Sequence, residues 1–140
     1  MVKKVLLLPL LLFPLHAYEL LILGNKDFPR SSLTPHEIRA IFLAKQPTIE
    51  AQKILVMNHP FNHPFRQCFE RVILHKSQES LERYWRKAYY QGKRPPKIIK
   101  STPMLLSYLN TVHPSIGYND GNMSHEQGFK ILYRFECPNP

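Results

Sequence analysis

The sequence predicts an α/β fold, a three-layer sandwich built on a mixed sheet, and three features of its 140 residues carry that prediction. Wholly apolar runs of strand length recur along the chain, capped segments with one apolar face lie between them, and the chain closes on a stretch of alternating apolar residues. Strands separated by helices require at least some parallel pairing, because a crossover helix returns the chain to the same end of a sheet.

The first seventeen residues read as an address rather than as part of that fold. Lys3 and Lys4 form a positive start, Val5 to Leu15 is composed of Leu, Val, Phe and Pro, and Leu15-His16-Ala17 ends on a small residue suited to cleavage. A membrane anchor is the competing reading. The apolar run is too short for it, since a spanning helix needs about 20 residues, and Pro9 and Pro14 interrupt it. The expectation is a signal peptide over residues 1–17, a periplasmic or secreted location, and a single domain over residues 18–140.

Within that domain, Glu19 to Gly24 is apolar apart from Glu19, which predicts a strand covered on both faces and central in its sheet. Thr34-Pro35-His36-Glu37 then has the form of a helix start: Thr34 as cap, Pro35 in the first turn, and Glu37 accepting from the cap's own N–H. Ile38, Ile41 and Phe42 follow on one face, and Gln46-Pro47-Thr48 ends the helix. A second strand is predicted over Lys53 to Asn58. The tetrapeptide Asn58-His59-Pro60-Phe61 recurs at once as Asn62-His63-Pro64-Phe65, and its prolines forbid regular helix across the pair.

Pro64 can open a helix, and Phe65, Phe69, Val72 and Ile73 keep helical spacing to about Leu74. Ser77 caps the next helix, in which Leu81, Tyr84, Trp85 and Ala88 face inward while Arg83, Arg86 and Lys87 face water. Gly92 to Lys97 is a turn. Thr102-Pro103 opens a further helix through Leu106 and Leu109 to about Thr111, stopped by His113-Pro114. Ser115 to Tyr118 and Phe129 to Phe135 read as strands, the second with Phe129, Ile131, Tyr133 and Phe135 on one side, and Glu136 to Pro140 as a fraying tail.

The chain carries a formal charge of +9, or +7 without Lys3 and Lys4, so anionic partners are favoured over neutral ones. From Arg83 to Asn119 seven Lys or Arg residues occur without one Asp or Glu, interleaved with Tyr84, Trp85, Tyr89 and Tyr90. Such a mixture can bind nucleic acid, but export argues against that partner and leaves a soluble anion, an anionic surface or an envelope protein. In an oxidising compartment Cys68 and Cys137 could form a disulfide worth about 4 kcal/mol; two free thiols are the equal alternative. No glycine-rich phosphate loop, Cys-x-x-Cys pair or Gly-x-Ser-x-Gly elbow is present, which argues against an enzyme and points to no cofactor. His59, His63 and Cys68 are of zinc- or copper-ligating type, but their irregular spacing and the lack of a carboxylate in the loop favour a proline-stiffened loop with solvated histidines.

Several motifs in a shared order suggest a relationship. Asn25-Lys26-Asp27 with Pro29, then Ser32-Leu33-Thr34 and Ile41-Phe42-Leu43-Ala44-Lys45, resemble the "N…P…SLT" lead and "IFxGK" helix end of the phosphate-type substrate-binding proteins of ABC transporters. Arg66-Gln67-Cys68-Phe69, Tyr84-Trp85, Gly92-Lys93, Pro95-Pro96 and Pro114-Ser115-Ile116-Gly117-Tyr118 resemble later landmarks of that family. The resemblance implies a type II periplasmic-binding-protein-like lobe, of which this chain has room for roughly one, and a small phosphate-like anion as ligand.

Relatives hold an oxyanion with a Ser-Gly-Thr type loop at a helix N-terminus, where amides and the helix dipole converge. The matching segment here is Asn62-His63-Pro64-Phe65 before Arg66. Its hydroxyls are absent, Pro64 has no N–H, and His59 stands where some relatives carry an arginine. Asn62, His63, Phe65 and Arg66 are the candidate ligand residues of an exported, non-catalytic anion-recognising domain linked to ABC-type phosphate transport. The alternative is an interaction module that has lost the ligand site and meets another envelope protein through its basic, aromatic surface.

Overall fold

A computed structural model describes residues 2–6, 9, 17–121 and 128–138, so most of the expected leader lies outside the described residues. Tyr18–Asn25 forms β1, Leu55–Asn58 β4, Ser115–Asp120 β6 and Phe129–Cys137 β7. Shorter strands are β2 at Thr48–Ile49, β3 at Gln52–Lys53 and β5 at Lys97–Ile98. The helices are α1 at Pro35–Phe42, α2 at Pro64–Phe69, α3 at Gln78–Tyr89 and α4 at Thr102–Thr111. Five strands make one sheet in the order β5-β4-β6-β1-β7, and β2 and β3 pair separately as a hairpin. β4 runs parallel to β5 and β6, whereas β1 is antiparallel to both its neighbours, so the sheet is mixed.

The apolar run of β1 lies between β6 and β7, and its two faces enter two cores. Leu20 and Ile22 pack with Ile38, Phe42, Phe69 and Leu81 from α1, α2 and α3. Leu21 and Leu23 pack with Met57, Ile99 and the α4 residues Leu105 and Leu109. A strand buried on both faces has no need of polar alternation, which explains its composition. Helices on each side of the sheet complete three layers.

Local signals were written into neighbouring residues and the structure follows them. Thr34 and Glu37 form the reciprocal capping box of α1, with Pro35 in its first turn. The Ser77 hydroxyl accepts from the Ser80 N–H at 3.2 Å and starts α3. Tyr84 and Trp85 are half-buried and pack against the larger core, and the Tyr84 hydroxyl donates to the Leu43 carbonyl at 2.5 Å.

Several expectations change, beginning with the strand expected over Lys53 to Asn58, which is broken at Ile54 so that Lys53 joins the β2–β3 hairpin and only Leu55–Asn58 enters the main sheet. The helix expected to run to Leu74 keeps α geometry for six residues, and Glu70–Leu74 forms a π-helical turn that ends on His75 in the left-handed region, φ +52°. α4 is capped by Ser101, which places Leu105 rather than Leu106 in the core with Leu109. In β7 the register slips between Ile22 and Leu23 of its partner, so Leu132 is the extra residue of a bulge. Leu132 is therefore buried and Ile131 exposed, against the expected alternation. Finally, Glu136 and Cys137 do not fray: they extend β7, and Cys137 is joined to Cys68 of α2 by a disulfide with a Cα–Cα distance of 5.9 Å.

Ala44 follows α1 with φ +55°, a conformation that favours glycine. It occupies the position of Gly in the "IFxGK" pattern, so the chain keeps the turn without the residue best suited to it.

Candidate functional site

Asn58 ends β4, and the next residue, His59, is buried at 5% exposure. The His59 Nε2 lies 2.8 Å from the Tyr118 carbonyl of β6. A carbonyl only accepts, so the neutral ring carries its proton on Nε2. The Tyr118 hydroxyl donates in turn to the Asn58 side-chain oxygen. Burial pushes the His59 imidazolium down to about 4 against an ordinary 6.5, outweighing the upward pull of the Tyr118 contact. The Tyr118 phenol, buried as well, is held well above its usual range.

His63 closes the loop and caps α2: its Nδ1 accepts from the Phe65 N–H at 3.1 Å. This leaves the Nε2–H of the neutral ring as a donor, and burial holds the imidazolium below its ordinary value. The His59 and His63 rings lie 4.5 Å apart, and Phe65 packs edge-on to His59 and against Tyr18. Asn62 and Pro64 are exposed, so the start of α2 faces solvent.

Arg66 is the cation of this segment, and it is engaged. One guanidinium N–H donates to the His59 carbonyl at 3.1 Å, and Nε is 3.4 Å from a Glu70 carboxylate oxygen. Burial raises the Glu70 pKa, and the Arg66 charge opposes that rise. Arg66 and Glu70 border an open depression of about 600 Å3 that Phe61, Trp85, Pro96 and Ile98 also line. An anion entering this depression would meet Arg66 and Arg86, in competition with the carboxylates of Glu70 and Glu82, which also line it.

Of the four residues singled out in the sequence, Asn62 is exposed and His63, Phe65 and Arg66 are half-buried; Arg66 lines the depression beside Phe61, whereas Phe65 lines a separate one with Tyr18, Glu19 and Asp120. Sequence reasoning missed Glu70, although its i,i+4 spacing from Arg66 on a helical pattern was a usable signal. It could not have found Tyr118, which arrives from a strand 60 residues away from Asn58. Cys68, bound to Cys137, offers no thiolate to the neighbouring histidines. Among the described residues no cluster of three His, Cys, Asp or Glu could hold a metal ion.

No protein-family model and no curated protein matches the chain. Solved structures do. An ABC-type phosphate transport receptor from Vibrio cholerae is similar to it with a TM-score of 0.66 and 17% identity, over 86% of this chain and 47% of the receptor. A phosphate ABC transporter substrate-binding protein from Clostridium perfringens, solved with bound phosphate, is similar with a TM-score of 0.67 and 15% identity, over 84% of this chain and 45% of that protein. The likeness is one of fold. The fold is periplasmic-binding-protein-like, and the chain spans about half the length of the two proteins it matches. No helix of the described residues is long and apolar enough to cross a membrane.

Proposed function

We propose that this chain is an exported, non-catalytic, substrate-binding-protein-like lobe in the periplasm or outside the cell. On this reading it recognises a small phosphate-like anion, or an anionic surface, at the solvent-facing start of α2, in the service of ABC-type phosphate transport. The observation that carries the reading is the position of Arg66: a guanidinium at the rim of an open depression, beside an exposed helix start, on a fold shared with two phosphate transport proteins. Asn62 and the His63 Nε2–H add neutral donors, and Phe65 holds the loop against β1.

The same geometry limits affinity. His59 and His63 are neutral at pH 7, the two cations of the depression, Arg66 and Arg86, stand beside two carboxylates, Glu70 and Glu82, and an anion on a single open lobe keeps much of its water. The Phe65 amide is taken by His63, and Pro64 has none to give. Binding is therefore expected near the millimolar range, about −4 kcal/mol.

Titration of the isotope-labelled protein with phosphate and with sulfate, followed by NMR, tests this directly. Saturable shifts confined to residues 58–70 and to the depression around Trp85, Arg86 and Ile98, and lost in Arg66→Ala, support it. Anion-independent spectra, or shifts that persist in Arg66→Ala, would refute it.

A further inference from the structure

A different surface lies along the first half of β4, away from the loop that follows its last residue. The end of α1, β4 and the Gly92–Lys97 turn border an open groove of about 540 Å3, within the size range of sites that seat ligands. Ile54 and Val56, on one face of the sheet, give it an apolar floor, while the Leu55 side chain packs into the core on the other face. Five cations line it: Lys45 and Lys53 from the segment around α1 and β3, and Lys93, Arg94 and Lys97 from the turn. No Asp or Glu lines it, and none of the five forms a salt bridge among the described residues.

Two physical features of this groove call for an occupant. Arg94 stacks on Tyr89 and donates to the Tyr89 and Lys93 carbonyls, and Lys97 lies over the Tyr108 ring, but no carboxylate in the described chain neutralises the like charges gathered around the floor. The sheet is also partly open here: β5 pairs only with Met57 and Asn58, so no strand lies beside Leu55 and Val56 on that side, and the neighbouring Ile54 N–H is taken by the Pro47 carbonyl at 3.0 Å. An uncovered edge is a template for strand addition.

We propose that this groove docks an extended segment of a partner protein in which apolar and acidic residues alternate. In such a segment alternate side chains point to opposite sides, so the apolar set flanks Ile54 and Val56, which share a face of the sheet, while the carboxylates reach the surrounding cations. Its backbone adds to the open edge of β4. An amphiphile with one charged head would satisfy cations at one end of the groove and leave the others unmatched. The spread of the five over two separate chain segments therefore selects a ligand with several carboxylates.

The test uses the disulfide-bonded chain and a fluorescent probe peptide alternating Val and Glu, with binding read by anisotropy. Saturable binding is expected that weakens steeply with added salt and falls about tenfold in Lys53→Glu/Lys93→Glu. Both lysines are at least partly exposed, and an unchanged circular dichroism spectrum certifies the fold of the variant. Methylation of alternate probe amides should weaken binding if the strand edge takes part. Arg66→Ala should leave it unchanged, which separates this groove from the proposed anion site.

Three results would overturn the inference: indifference of the Val–Glu peptide to the charge reversals, equal binding of a poly-Glu peptide without apolar residues, or binding of dodecanoate where the peptide fails.

Discussion

Acid should destabilise this protein through one buried ring. His59 is 5% exposed, its Nε2–H is committed to the Tyr118 carbonyl, and its imidazolium forms only near pH 4 in the folded chain against 6.5 ordinarily. Between those values the unfolded chain takes up a proton that the folded chain refuses. Stability is thus fully present above pH 6.5, is lost as pH falls, and the loss levels off below pH 4. The two values imply a loss of about 2 kcal/mol at pH 5 and about 3 kcal/mol at pH 4.

His59→Gln removes the titration while its side-chain amide can still donate to Tyr118. Urea unfolding of both proteins at pH 7 and pH 5 isolates the effect: the parent should lose about 2 kcal/mol more than the variant. Glu70, whose raised pKa acts in the opposite sense, is common to both and cancels in the comparison. A parent-minus-variant difference that stays the same at both pH values would show that His59 is not buried neutral.

Other consequences are equally direct. Replacing Cys68 and Cys137 by Ala opens a loop spanning 69 residues, which should cost about 4 kcal/mol; identical thermal midpoints with and without reductant would contradict the bond. Phe69 is fully buried and stacks on Tyr118 at 4.3 Å, so Phe69→Ala should cost about 3–5 kcal/mol by urea midpoint, and a cost well under that would mean the core closes around the gap. Glu70→Gln removes the carboxylate that competes for Arg66; phosphate affinity should rise several-fold by NMR titration, and unchanged affinity would remove Arg66 from the site. The β2–β3 turn holds Glu50 and Ala51 at φ +48° and +62°, so Ala51→Gly should raise the melting temperature through a gain of about 1 kcal/mol, whereas a lower one would show that unfolded-state entropy outweighs the relief of strain.

That turn also shows where reading from sequence stops. Two-residue hairpin loops with positive φ are recognised by Asn-Gly or Asp-Gly, and here Glu-Ala does the work without a signature. The bulge at Leu132 was hidden for a similar reason, since one added residue leaves the apolar composition intact while reversing which side is buried. By contrast, the caps at Thr34, Ser77 and His63 each join residues two or three positions apart, so neighbouring residues specify them. At the candidate site, Arg66 stood out as a charge in the α2 lead, but its engagement by Glu70 and the His59 carbonyl depends on how the loop folds back.

Although it did not show the short strands β2, β3 and β5, the sequence by itself determined the long strands and the starts of the helices, that β1 is covered on both faces, and that a basic, aromatic surface exists. Short-range capping and hydrophobic periodicity decide these, and both are visible within a few residues. The tertiary structure alone decided that β1 inserts antiparallel between β6 and β7, that Cys68 meets Cys137 across 69 residues, and that lysines from two separate segments gather round one groove. Those outcomes depend on the simultaneous packing of both faces of the sheet, a property of the whole chain that no local window contains.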